Sequence, residues 1–150
     1  MNETYTRIEK FLDEFFQKAE LNLKAELQPH AEGCVVNLVG DDVGLLLFEG
    51  GEVLDAFQHI LYQGFGREMP QGERITCDAD GYRATRAAEL RAMARHAAQR
   101  VRDSGVPFMF GPMSSDERRA IHMNLAEEPD LQTESTGMGA QRRLQIKLKR

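Results

Sequence analysis

Between Ala19 and Leu21 the hydrophobic period of the chain changes. Upstream, Ile8, Phe11, Leu12, Phe15, Phe16 and Ala19 recur at the three- and four-residue spacing that lines one face of an α-helix, which predicts a helix over roughly residues 4–19. Downstream, Leu21, Leu23, Ala25 and Leu27 alternate with polar neighbours, as on a strand with one buried face. A helical stripe and a strand face that follow each other in the chain bury their apolar sides against common layers, so the class read from this switch is α+β.

The pattern continues in the same sense. Pro29-His30-Ala31-Glu32-Gly33 reads as a turn, and Cys34-Val35-Val36-Asn37-Leu38-Val39 as a second strand paired with the first. Gly40-Asp41-Asp42 is placed to cap a short helix through Leu45-Leu46-Leu47; the two aspartates read as a cap rather than a metal pair. Gly50-Gly51 separates that helix from one marked by Val53, Leu54, Phe57, Ile60 and Leu61, which Gly64, Gly66 and Pro70 break. Arg74-Ile75-Thr76-Cys77-Asp78 reads as a third strand, and Ala79-Asp80-Gly81 as a domain boundary. The longest helix is expected over 82–103, with an apolar stripe of Leu90, Met93, Ala94, Ala97 and Val101 and a separate basic stripe of Arg91, Arg95 and Arg102. Ser104-Gly105 ends it. Val106, Phe108 and Phe110 alternate as a short strand whose aromatics read as core. Ser114 and Glu117 have the spacing of a capping box, which starts a helix that stops before Pro129. Residues 131–136 and 142–148 alternate around Gly137-Met138-Gly139 as a β-hairpin. On its second strand Leu144, Ile146 and Leu148 share one face, and Arg143, Gln145, Lys147 and Lys149 the other.

At 150 residues, 41% hydrophobic and 29% charged, the chain can bury a core in one ordinary domain or two small ones. No apolar run approaches the ~20 residues of a membrane helix, and Met1-Asn2-Glu3-Thr4-Tyr5 lacks a signal pattern. Cys34 and Cys77 alone make neither a disulfide framework nor a zinc site, so a cytoplasmic protein with reduced thiols and no metal or other cofactor is expected. The net charge of −5 hides an asymmetry: residues 1–80 hold 6 Lys/Arg against 16 Asp/Glu, net −10, and residues 81–150 hold 13 against 8, net +5. A polyanion would therefore meet the C-terminal half.

In that half, Arg118 and His122 stand four residues apart within Ser114-Ser115-Asp116-Glu117-Arg118-Arg119-Ala120-Ile121-His122. Positions i and i+4 share a helix face, so a guanidinium and an imidazole project together, a pairing suited to a phosphate oxygen. By themselves the two residues read as a solvated face; the string around them points elsewhere. Met113 to Leu125, continued by Thr133-Glu134-Ser135-Thr136-Gly137 and Arg142-Arg143-Leu144-Gln145-Ile146, resembles the Arg-x-x-x-His single-strand-nucleic-acid-binding domain. Asp78-Ala79-Asp80-Gly81-Tyr82-Arg83 and the long helix after it resemble the Jag (SpoIIIJ-associated) bacterial family, which joins a type II KH domain to that domain. The resemblance runs from the first helix to the end of the chain. It implies a KH-like domain over 1–80, ordered α-β-β-α-α-β, and a small α-β-α-β-β domain over 81–150. The further N-terminal domain and linker common in Jag proteins are read as absent. Also implied are binding of single-stranded RNA or DNA, with Arg118 and His122 in signature positions and Arg119, Arg142 and Arg143 in basic ones, and a link to post-transcriptional control and to cell elongation and division.

The KH half departs from its pattern. A KH domain clamps the nucleic-acid backbone with a Gly-x-x-Gly loop between two helices. Alignment puts Phe48 at the first glycine, Glu49 and Gly50 at the variable pair, and leaves only Gly51. Glu49, Glu52 and Asp55, with Asp41 and Asp42 upstream, surround the loop with negative charge, which repels phosphate. The KH-like half is therefore expected to be degenerate, a scaffold or a protein interface. Against RNA binding stands an adaptor reading, in which residues 1–80 bind a protein partner or a second KH chain and nucleic acid is incidental. Membrane insertion and a small-molecule substrate are not expected. His30, His59 and His96 lack metal-ligand spacing, and no phosphate loop, His-Glu-x-x-His or nucleophile elbow is present, so the chain does not read as an enzyme.

Overall fold

The computed structural model describes residues 2–150, and the chain divides into two compact units, one ending at Arg83 and the other beginning at Ala84. Both mix helix and strand, as the change of period requires.

In the first unit, helix α1 (Glu3–Lys18) starts at Asn2, whose side chain accepts the Thr4 N–H, and buries Ile8, Leu12 and Phe16. Phe11 and Phe15, assigned to the same stripe, lie at its margin. They are 38% and 40% exposed and make edge-on ring contacts with Phe65 and Phe57 respectively. Strand β1 (Lys24–His30) begins later than the alternation suggests, leaving Leu21 and Leu23 in the connection. The turn is also shorter than expected, because only Ala31 and Glu32 separate β1 from β2 (Gly33–Val39). Pro29 sits inside β1, opposite Cys34, and is tolerated because β1 is an edge strand. Strand β2 is central: antiparallel to β1 and parallel to β3 (Arg74–Asp78). Cys34, Val36 and Leu38 of β2 and Ile75 and Cys77 of β3 join the α1 residues in one core.

Helix α2 (Val43–Phe65) is interrupted at Phe48–Gly51, so its two halves are separate helices joined by a four-residue loop, as the glycine pair predicts. Asp42 occupies the N-cap position without a capping bond, which corrects the expected role of the aspartates. Asp42 accepts the Asn22 backbone N–H at 2.6 Å and Asp41 accepts the Asn22 side-chain amide at 2.7 Å, so the pair ties the start of α2 to the segment before β1. Helix α2 continues through Gly64 and passes into a 3-10 turn at Gly66–Glu68.

The second unit packs helices α3 (Tyr82–Ser104, counted from Ala84 onward) and α4 (Ser115–Leu125) with strands β4 (Phe108–Met109), β5 (Leu131–Thr136) and β6 (Arg143–Leu148). The sheet is antiparallel in the order β4-β6-β5, and the hairpin register sets Thr136 opposite Arg143. Strand β4 is shorter than the alternation of Val106, Phe108 and Phe110 implies. Val106 is exposed and Phe110 is buried, its N–H donating to the Leu144 carbonyl. The core holds Leu90, Ala94, Ala97, Ala98 and Val101 of α3 with Ile121, Leu125, Leu131, Leu144 and Ile146.

Candidate nucleic-acid interface

Helix α4 is started by Ser114, whose hydroxyl accepts the Glu117 N–H at 3.2 Å. This is half of a capping box. The Glu117 carboxylate does not reach back; it takes Arg86 of α3 in a two-pronged pair, at 2.7 Å and 3.1 Å. With the start so fixed, Ile121 and Leu125 point into the core, and Arg118 and His122 fall on the flank facing the sheet.

Arg118 is half-buried, and its Nη1 donates to the carbonyls of Met113 at 3.1 Å and Arg142 at 3.3 Å. That nitrogen joins the entry to α4 with the entry to β6. The same Arg142 carbonyl accepts the Met113 N–H. His122 is exposed, and its Nδ1 is hydrogen-bonded to the Thr133 hydroxyl of β5, with the direction of the bond set by the tautomer. Nε2 is the ring nitrogen left to face a ligand. Thr133 thus orients the imidazole, a role that sequence reasoning missed; the signal available was its place in the motif string.

Arg142 is half-buried in the loop between β5 and β6, where its Nη1 donates to the Gly137 carbonyl at 2.8 Å. Arg143 follows it on β6, on the face away from Leu144 and Ile146. Arg119 is exposed on α4. The fold therefore joins Arg118 directly to the backbone of Arg142 and His122 to β5, while no hydrogen bond links the Arg119 or Arg143 side chains to them among the described residues. Met138, 86% exposed at the hairpin loop, adds an apolar side chain that the sequence reading did not single out. The surface can offer donors to phosphate oxygens and an apolar edge to a base.

Residues 88–148 match the family model of the Arg-x-x-x-His domain. The chain carries an Arg-x-x-x-His domain. Beyond it, the chain is similar to proteins named RNA-binding protein KhpB from Clostridium symbiosum (29% identity over 143 residues, 94% of this chain and 64% of that protein) and from Bacillus subtilis strain 168 (30% over 116 residues, 76% and 56%). A third, from Lactiplantibacillus plantarum, is 29% identical over 107 residues, 71% of this chain and 33% of that protein. The resemblance to the Jag family, read first from the motif string, holds across these matches. The chain spans less than two thirds of the length of each relative.

In the first unit, the loop of α2 carries three successive left-handed residues, Glu49, Gly50 and Gly51, at φ 51°, 72° and 77°. Phe48 is 69% exposed, so it is not a core residue. Gly51 is buried beneath Tyr82, whose ring leaves no room for a β-carbon. Not every acid around the loop is free to repel a ligand. Asp55 is paired with Arg83 at 2.5 Å, whereas Asp41 and Asp42 accept hydrogen bonds from Asn22 and keep their charge; Glu49 and Glu52 are exposed. Among the described residues no group of His, Cys, Asp and Glu could hold a metal ion, and no helix is long and apolar enough to cross a membrane.

Proposed function

We propose that this protein binds single-stranded RNA, mainly through residues 81–150, and is a binding protein rather than an enzyme. The observation that carries the reading is the Arg118/His122 pair on α4, aimed at the sheet and tied to Arg142 and Thr133, within an Arg-x-x-x-His domain. The names of the relatives, RNA-binding proteins, support the same choice of ligand. In this reading the remaining guanidinium nitrogens of Arg118 take a phosphate or a base edge, and His122 donates from Nε2 or stacks. Arg119, Arg142 and Arg143 supply the positive track for the backbone. Residues 1–80 form a degenerate type II KH-like domain; its helix-loop-helix at Phe48–Gly51 supports that topology, and exposed Glu49 and Glu52 oppose phosphate there. A role in post-transcriptional control linked to cell elongation and division belongs to the same proposal.

The test is binding of a labelled single-stranded RNA to the full chain and to Arg118→Ala/His122→Ala across a salt series. Binding is expected to collapse in the double variant. Because Arg118 also holds two carbonyls, a second variant, Arg119→Gln/Arg143→Gln, removes charge and leaves those bonds in place. It is expected to weaken binding and lower the log–log salt slope by about 1.4, from about 0.7 for each phosphate no longer neutralised. Full binding by both variants would sink the proposal. One observation favours a second reading, a protein adaptor: Phe48 and Leu45 expose 69% and 56% of their surface at the α2 loop. RNA that co-purifies with the chain and raises its ultraviolet absorbance ratio speaks for the first reading; a clean spectrum with no RNA affinity speaks for the second.

A further inference from the structure

Helix α3 carries six arginines, Arg83, Arg86, Arg91, Arg95, Arg100 and Arg102. The fold employs four of them. Arg83 pairs with Asp55, Arg86 with Glu117 and Glu89, Arg100 lies over the Phe108 ring, and Arg102 is gripped by Asp130 and Glu128. Arg91 and Arg95 have no ion-pair partner among the described residues. They stand four residues apart, about 6 Å along the axis, and like charges at that spacing destabilise their own helix.

Both line one groove of about 440 Å³ between α3 and α4, with Gln99 and Asn124 among its walls. Each of these amides uses one N–H within its own helix, Gln99 toward Asp103 and Asn124 toward the Ala120 carbonyl, which leaves the other N–H to donate. The carboxylate in the groove, Glu128, shares Arg102 with Asp130, so that trio leaves one negative charge against the two positive charges of Arg91 and Arg95. The groove therefore presents two guanidinium forks without ion-pair partners and two amide donors, with a net positive charge. It lies on the flank of α4 that faces α3, whereas Arg118 and His122 bond to groups on the sheet flank.

We propose that this groove is a second contact for the phosphate backbone of a nucleic-acid strand, separate from Arg118 and His122. Guanidinium forks match phosphate oxygens, and their spacing along the helix brackets successive phosphates. The proposal rests on the RNA-binding reading above and adds to it. A strand long enough to leave the first site is held again by α3, so affinity grows with RNA length and its salt dependence steepens.

The test uses the full chain, Arg91→Gln/Arg95→Gln and Arg91→Lys/Arg95→Lys. The probes are oligouridylates of about six and about twenty nucleotides, short enough for one site and long enough for both. The glutamine variant is expected to bind the short RNA unchanged and the long RNA about ten-fold more weakly, with its salt slope lower by about 1.4. The lysine variant, which keeps the charge, should retain the slope. The side-chain amide signals of Gln99 and Asn124 should shift with the long RNA only. Equal binding of the long RNA by the unchanged chain and the glutamine variant, with equal slopes, overturns the groove and leaves the first site standing. Failure of the unchanged chain to bind either RNA overturns the RNA reading and the groove together. A poly-glutamate peptide that moves the two amides as far as RNA does at the same salt would make the groove a site for acidic protein and overturn the assignment to nucleic acid.

Discussion

Arg118 gives one guanidinium nitrogen to two backbone carbonyls, whereas the hydrogen bond of His122 is to a single hydroxyl. Replacing Arg118 therefore disturbs both the ligand surface and the junction of α4 with β6, and replacing His122 disturbs chiefly the surface. The same separation of roles occurs at the α2 loop. Phe48 faces solvent, while Gly51, three residues on, is under Tyr82 at φ 77°, where a β-carbon would come 2.7 Å from the ring. Gly51→Ala should cost about 1–3 kcal/mol, from backbone strain and the clash together. Gly64→Ala, inside α2 with open space around it, should be neutral or stabilise by up to about 1 kcal/mol. Denaturant unfolding of the two variants reads the difference; equal midpoints would mean that the left-handed loop is not a constraint on the native fold.

Among elements, α3 shows how one basic face can be divided. Arg91, Arg95 and Arg102 form a single stripe by periodicity, yet Arg102 is held at 2.7 Å by both Glu128 and Asp130, from the turn between α4 and β5. The hydrogen bond from Arg102 holds the Asp130 carboxyl below the usual carboxylate range. A carboxyl whose folded pKa is lowered contributes stability that is present above its unfolded value, about 3.9, and lost as pH falls through the folded value. Arg102→Gln should thus melt lower than the unchanged chain near neutral pH, and the difference should vanish in acid. The gap is expected to be small and reduced by salt, since all three side chains are partly exposed. A gap that persists unchanged in acid would assign the effect of Arg102 to packing of its stem rather than to charge.

Each unit of the molecule encloses its own core, and both cysteines lie in the first. Burial pushes the Cys77 thiol up to about 12 and raises that of Cys34 as well. A thiol kept neutral in the fold contributes stability that is complete below its unfolded value, about 8.5, and is lost as pH rises toward the folded one. Unfolding at mildly alkaline pH should therefore become easier in the unchanged chain. Cys77→Ala should be less stable near neutral pH, because it leaves a cavity, yet show a flatter alkaline decline. The check is the denaturation midpoint followed from about pH 7 to about pH 11; parallel curves would show that Cys77 does not govern the decline. Both thiols should also resist a thiol reagent until the first unit unfolds.

Local sequence was enough for the α+β class, the order of elements, the helix-loop-helix break at Gly50-Gly51 and the place of Arg118 and His122 on one face of α4. These follow from local rules: hydrophobic period, glycine's backbone freedom, and the four-residue spacing of a helix face. Tertiary packing settled the choices that depend on long-range partners. Asp41 and Asp42 bind Asn22 rather than capping α2, and Glu117 turns to Arg86 rather than completing its capping box. Thr133 orients His122, Arg142 lends its carbonyl to Arg118, and the basic stripe of α3 splits into an arginine bound by Asp130 and Glu128 and two without ion-pair partners among the described residues. A hydrogen-bonding side chain takes the nearest good partner in space, and spacing along the chain does not say which partner that will be.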